Sequence, residues 1–123
     1  MKGSILIRKV GGFYNVFDDD AIIVSYLTGY KVVNGRCGFP INSLGKVTNL
    51  LGDNNVNYIV RENMIDVDKK NYKKKNKYSI VFEKAKKKID IDYRISSIMD
   101  RVSGLSYDRL CSLLDVIEDY CSE

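Results

Sequence analysis

Histidine is absent from this 123-residue sequence, and cysteine occurs three times, as Cys37, Cys111 and Cys121. Without histidine, neither Cys–His nor Ser–His nucleophilic catalysis is available. Most zinc sites are excluded as well, because the three cysteines follow no metal or redox spacing. Cys37, beside Gly38-Phe39-Pro40, lacks a histidine to activate it and reads as a buried or incidental thiol. No apolar run approaches the roughly 20 residues that span a bilayer. Met1-Lys2-Gly3 followed by "SILI" lacks the apolar core and cleavage site of a signal peptide, so the sequence reads as intracellular and cytoplasmic.

What is present is about one domain's length of chain, 45% hydrophobic, enough to bury a core. The net charge of +4 conceals an uneven distribution. Residues 1–68 carry 7 basic and 7 acidic side chains, residues 69–88 carry 10 and 1, and residues 89–123 carry 3 and 8. A concentrated basic block attracts phosphate-rich polymers even in a mildly basic protein.

Apolar periodicity divides the chain. "ILIRK" (5–9) and "FYNVF" (13–17) predict a hairpin reversing at Gly11-Gly12. Side chains alternate across a strand, so Phe13, Asn15 and Phe17 point one way and Tyr14 and Val16 the other. Asp18, Asp19 and Asp20 suit a helix N-terminus, where carboxylates cap free N–H groups, and Gly29 is the expected stop. "YKVV" (30–33) and "RCGF" (36–39) around Asn34-Gly35 predict a second hairpin. Asn42 or Ser43 then caps a helix that Gly52 ends, and "VNYIV" (56–60) is a further strand. The expectation is an α/β (α+β) fold over residues 1–65, a small mixed sheet of about five strands with two flanking helices. Residues 66–78 read as a Lys-rich loop or linker. Residues 79–123 read as a helical C-terminal extension forming one compact unit with the core. In it the Phe82, Ala85, Ile89 stripe is offset from Ile91, Ile95, Ile98 and Val102, as in a bent helix or two abutting ones. Gly104 ends that run, and Ser106 starts a helix with Leu110, Leu113, Leu114, Ile117 and Cys121 on one face.

"ILIRKVGGFYNVFDDDA" resembles the opening of the N-terminal mismatch-recognition domain of the MutS family, a strand leading into a Gly-Asp-Phe-Tyr-Glu-Leu-Phe-type segment and an acidic helix start. "GFPINSLGKVTNLLGDNNVNYIVREN" is similar to that domain's Gly-Ile-Pro segment, the helix after it and the following strand. The resemblance covers about residues 4–63. It implies a domain of the MutS domain I type, with Phe13 as the aromatic wedge beside a mismatched base and Asn15 where the family's base-contacting glutamate stands. An asparagine both donates and accepts and carries no charge, so binding with altered or lost discrimination is implied. The segment from Tyr30 to Cys37 is shorter than the family's, nothing after residue 66 resembles it, and the chain has no G-x-x-x-x-G-K-[ST] loop for an ATPase.

These readings converge on a non-catalytic nucleic-acid-binding protein, with DNA as ligand and no cofactor or metal. Its expected contacts are Phe13, Asn15 and the phosphate-facing Lys69, Lys70, Lys73, Lys74, Lys75 and Lys77, with Tyr72 and Tyr78 interleaved. The bland alternatives are a packing role for Phe13, a solvated loop for the lysines, and pairing of Lys84 to Lys88 with the acidic last helix. A different class is an interaction or structural module that keeps the fold without DNA binding and forms a homodimer through its C-terminal amphipathic helix. The string Asp66, Asp68, Lys70 loosely resembles the carboxylates and lysine of a metal-dependent nuclease and is the remaining enzymatic reading.

Overall fold

The computed structural model describes residues 3–122, with every side chain in that range except that of Lys73. The chain forms two compact units, Met1–Lys88 and Ile89–Glu123. In order, its elements are β1 (Ile5–Val10), β2 (Phe13–Phe17), α1 (Asp18–Thr28), β3 (Arg36–Pro40), α2 (Leu44–Asp53), β4 (Tyr58–Glu62), β5 (Ile65–Lys70), α3 (Tyr78–Val102) and α4 (Tyr107–Cys121). Short 3-10 turns lie at Ile41–Ser43 and Lys73–Lys75. The strands make one five-stranded mixed sheet ordered β3-β2-β1-β4-β5, in which β1 and β4 run parallel and the other neighbours antiparallel. This is the small α+β fold expected.

The first hairpin turns where the sequence places it, with Gly11 at φ +61°, a conformation that costs glycine nothing. Alternation then sorts the side chains. Ile5 and Ile7, Tyr14 and Val16, Cys37 and Phe39, and Tyr58 and Val60 turn inward and meet the buried residues of α1, α2 and the start of α3 in a single core. The helices of the first unit therefore cover one face of the sheet. Its other face carries no helix of that unit.

The sheet differs from the expectation in which strands it uses. Asn34 and Gly35 make the anticipated tight turn with φ of 53° and 73°, but "YKVV" contributes only a single bridge, Val33 to Arg36. β3 pairs with β2 over its whole length instead, because Cys37 and Phe39 bury their side chains only beside Val16 and Tyr14. The fifth strand comes from residues read as loop or linker. β5, "IDVDKK", is exposed throughout and pairs with β4 at the sheet edge; only Ile65 and Val67 alternate with its aspartates, neither is buried, and the lysines that follow make the stretch read as polar.

The rest of that segment is tied down as well. Buried Asn57 accepts from the Tyr72 N–H at 2.6 Å and donates to Asn71 Oδ1 at 3.2 Å. Asn76 accepts from the Asn57 N–H and donates to the Gly3 carbonyl, and the Lys77 N–H bonds the Asn55 carbonyl. Residues 66–78 thus belong to the first unit, which extends to Lys88 rather than ending at 65.

The three aspartates open α1 as expected, but no side chain caps that helix. Asp20 is buried and joins three elements: its carboxylate accepts from the Leu6 N–H of β1 at 3.0 Å and from the Tyr78 hydroxyl of α3 at 2.6 Å. Backbone N–H groups along a strand point alternately to its two neighbours. Ile5 donates toward β4, so Leu6 points to the side where β2 has already turned into α1, and Asp20 supplies the acceptor the sheet lacks there.

In the second unit, α4 begins after Ser106, at the anticipated place. α3 is continuous, and the offset between its two apolar stripes falls where the first unit ends and the second begins. No described residue of the second unit is buried.

Candidate nucleic-acid interface

Register assembles the helix-free face row by row. Pro40, Phe13 and Val10 lie side by side on β3, β2 and β1. The next row is Gly38, Asn15, Arg8, Arg61 and Asp66, crossing the whole sheet. Arg36 and Phe17 are paired in the third, where Leu6, Ile59 and Lys69 also align. Phe13 is 54% exposed and Phe17 37% exposed, so both rings lie open to solvent. Phe13 is not a core residue.

A concavity of about 430 Å³ lies against this face, lined by Val10, Phe13, Asn15, Lys31, Arg36 and Gly38 among others. Neighbouring concavities of about 350 Å³ and 300 Å³ share Arg8. At the floor of the first, Asn15 is only 7% exposed, yet its side-chain amide has no hydrogen-bond partner among the described residues. No described buried polar side-chain atom lacks a partner, so the amide's polar end reaches solvent through the concavity. Gly38 makes this possible. A Cβ there would come within 2.9 Å of Asn15 Oδ1 and crowd the amide.

The charge on this face is mostly positive and uncommitted. Arg8, Arg36, Lys31 and Lys69 form no ion pair among the described residues, whereas Arg61 is held by Asp66 at 2.8 Å. On the helix-covered side, the Tyr14 hydroxyl donates to Glu62 at 2.8 Å, and Lys9 approaches the same carboxylate at 3.5 Å. Burial, and then Glu62, push the Tyr14 phenol above its ordinary pKa; burial also raises the Cys37 thiol, which makes it a poorer nucleophile.

The sequence-derived contacts therefore separate. Phe13 and Asn15 stand together on β2. Lys69 shares their face but lies on β5, three strands and about 14 Å away. Lys70 aligns with Tyr58 and so belongs to the opposite side, while Lys74, Lys75 and Lys77 are exposed in the segment that Asn57 and Asn76 pin. The Lys73 side chain lies outside the described residues. Arg8, Arg36, Arg61 and Lys31 were missed, and only the strand order could have placed them beside Phe13. The nuclease-like string is also split: a bulge opposite Val60 and Arg61 sends Asp66 to Arg61 on one face and Asp68 to the Tyr58 hydroxyl on the other. Among the described residues, no three Cys, Asp or Glu side chains are grouped to hold a metal ion.

No protein-family model matches the sequence, and a search of curated proteins finds no significant match. No helix among the described residues is long and apolar enough to cross a membrane.

Proposed function

We propose that this chain is a non-catalytic DNA-binding protein resembling a stand-alone MutS-type mismatch-recognition domain that works without an ATPase. The observation that carries this reading is the Phe13 ring, open to solvent and set beside an unpartnered amide and the free cations Lys31 and Arg36. An exposed apolar ring at a basic surface gains by exchanging water for a base, and the cations offset phosphate charge. The site for that exchange is the helix-free face of the sheet, with the lysines after β5 as a second, separate basic surface. Titration of labelled duplex, singly mismatched duplex and single-stranded DNA at two salt concentrations is the test. Binding tighter than micromolar to at least one of them, weaker at the higher salt and reduced roughly tenfold by Phe13→Ala, is expected. Micromolar or weaker affinity for all three, or indifference to Phe13→Ala, removes the reading.

A second reading is favoured by a different observation. The second unit repeats apolar residues at helical spacing, yet Ile91, Ile95, Ile98, Leu114 and Ile117 all remain exposed. Helices of this kind gain stability by burying their stripes against another copy. Light scattering then shows a particle of twice the 14.1 kDa chain mass, reduced to monomer by truncation after Gly104. A monomeric full-length chain counts against homodimer formation.

A further inference from the structure

We infer that the helix-free face takes single-stranded DNA, its unpaired bases laid along β2, with Phe17 as a second stacking platform beside Phe13. This rests on the DNA-binding reading above and specifies the form of DNA. Phe13, Asn15 and Phe17 project from the same face at every second residue, hence about 7 Å apart along the strand. Bases in a duplex repeat at about 3.4 Å along each strand and turn their faces to one another. Each face is thus already covered by its neighbour, and a stacked base has none to offer a ring. An unstacked strand extends freely and presents both faces of each base.

The chemistry at each position fits one base. Phe13 and Phe17 offer exposed rings on which any base stacks. Between them, the unpartnered Asn15 amide at the floor of the concavity carries both a donor and an acceptor, the pair that a base edge can match. Gly38 removes the side chain that would otherwise fill the gap above it. Cations stand alongside in register, Arg8 next to Asn15 and Arg36 next to Phe17, both without ion pairs among the described residues. Asp18, which lines the concavity at Phe17, bounds the track at that end by repelling phosphate.

The test is fluorescence anisotropy of the full-length chain with a labelled 15-nucleotide DNA, the same sequence as a perfect duplex and as a mismatched duplex, and the corresponding RNA. The single-stranded DNA is expected to bind at least tenfold more tightly than either duplex. Phe17→Ala is expected to weaken that binding about 5- to 150-fold, the range for loss of one base–aromatic stack. Arg36→Gln serves as a second variant that keeps the Phe17 ring and the backbone pairing of β3 with β2, and should lower the slope of log affinity against log salt by about 0.7. Circular dichroism establishes that each variant is folded. A duplex bound as tightly as the single strand, or a folded Phe17→Ala variant with unchanged affinity, overturns the inference. Tighter binding of the RNA overturns the assignment to DNA. Phe13-dependent binding confined to mismatched duplex would sink this inference and leave the proposed function standing, whereas failure to bind any of the four would remove both.

Discussion

Asp20→Ala is expected to destabilise the fold by about 3–5 kcal/mol, a large part of the roughly 5–15 kcal/mol that holds a domain together. The substitution deletes two charge-assisted hydrogen bonds and leaves two donors stranded, the Leu6 N–H inside the sheet and the buried Tyr78 hydroxyl. Hydrogen bonds to charged groups contribute about 1.5–3 kcal/mol each, and a stranded buried donor keeps its desolvation cost. The magnitude separates this role from helix-dipole stabilisation, which would contribute only about 0.3–1 kcal/mol. Urea denaturation followed by circular dichroism measures it, and a loss below about 1 kcal/mol would assign Asp20 to the dipole alone. Tyr78→Phe removes a single bond while the carboxylate keeps Leu6, so a loss of about 1.5–3 kcal/mol is expected.

The same pair gives a pH signature. Burial, and then Asp20, raise the Tyr78 phenol above its ordinary pKa. A pKa raised on folding means a stability contribution that is complete below the unfolded value of about 10 and is lost as pH climbs beyond it. The wild-type chain should therefore lose more stability above about pH 10 than Tyr78→Phe does. Tyr14 and Tyr58, also raised, contribute equally to both proteins and cancel in the comparison.

Asn57→Ala is expected to cost about 2–3 kcal/mol and to release the basic segment after β5. Its amide is the buried staple of that segment, bonded to Tyr72 N–H and Asn71 Oδ1. Alanine leaves the Tyr72 N–H without its acceptor and opens a small void. Hydrogen exchange is the sharper readout: amides at Tyr72, Lys75 and Lys77 should lose protection together, while those of β1 and β4 fall only with global stability. Retained protection at Lys75 and Lys77 would mean that Asn76 and Asn55 hold the segment unaided. Asn57→Asp keeps the acceptor for Tyr72 but loses the donor to Asn71, and should fall between the two.

The locally encoded features were legible in the chain itself. Gly11, Gly29 and Asn34-Gly35 announce turns because their backbone conformations are ones that few other residues adopt. Alternation in "FYNVF" put Phe13 and Asn15 opposite Tyr14 and Val16 before any partner strand was known. β5 was illegible for the converse reason. An exposed edge strand gains its order from backbone pairing with β4, and in "IDVDKK" the alternation is only two apolar residues long, Ile65 and Val67, before the lysines begin. "YKVV" erred in the other direction, since a β-prone run forms a strand only where a neighbour offers its backbone.

By itself, the sequence determined where the tight turns fall and which side chains of "FYNVF" share a face, because these depend on backbone geometry within a few residues. Only the tertiary structure decided that Arg8, Arg36 and Arg61 join Phe13 and Phe17 on one surface, that Asp20 serves Leu6 and Tyr78, and that the lysines lie at a far edge. Those groupings follow from the strand order β3-β2-β1-β4-β5. Strand order is set by which apolar faces bury together across dozens of residues, and no single stretch of the chain contains it.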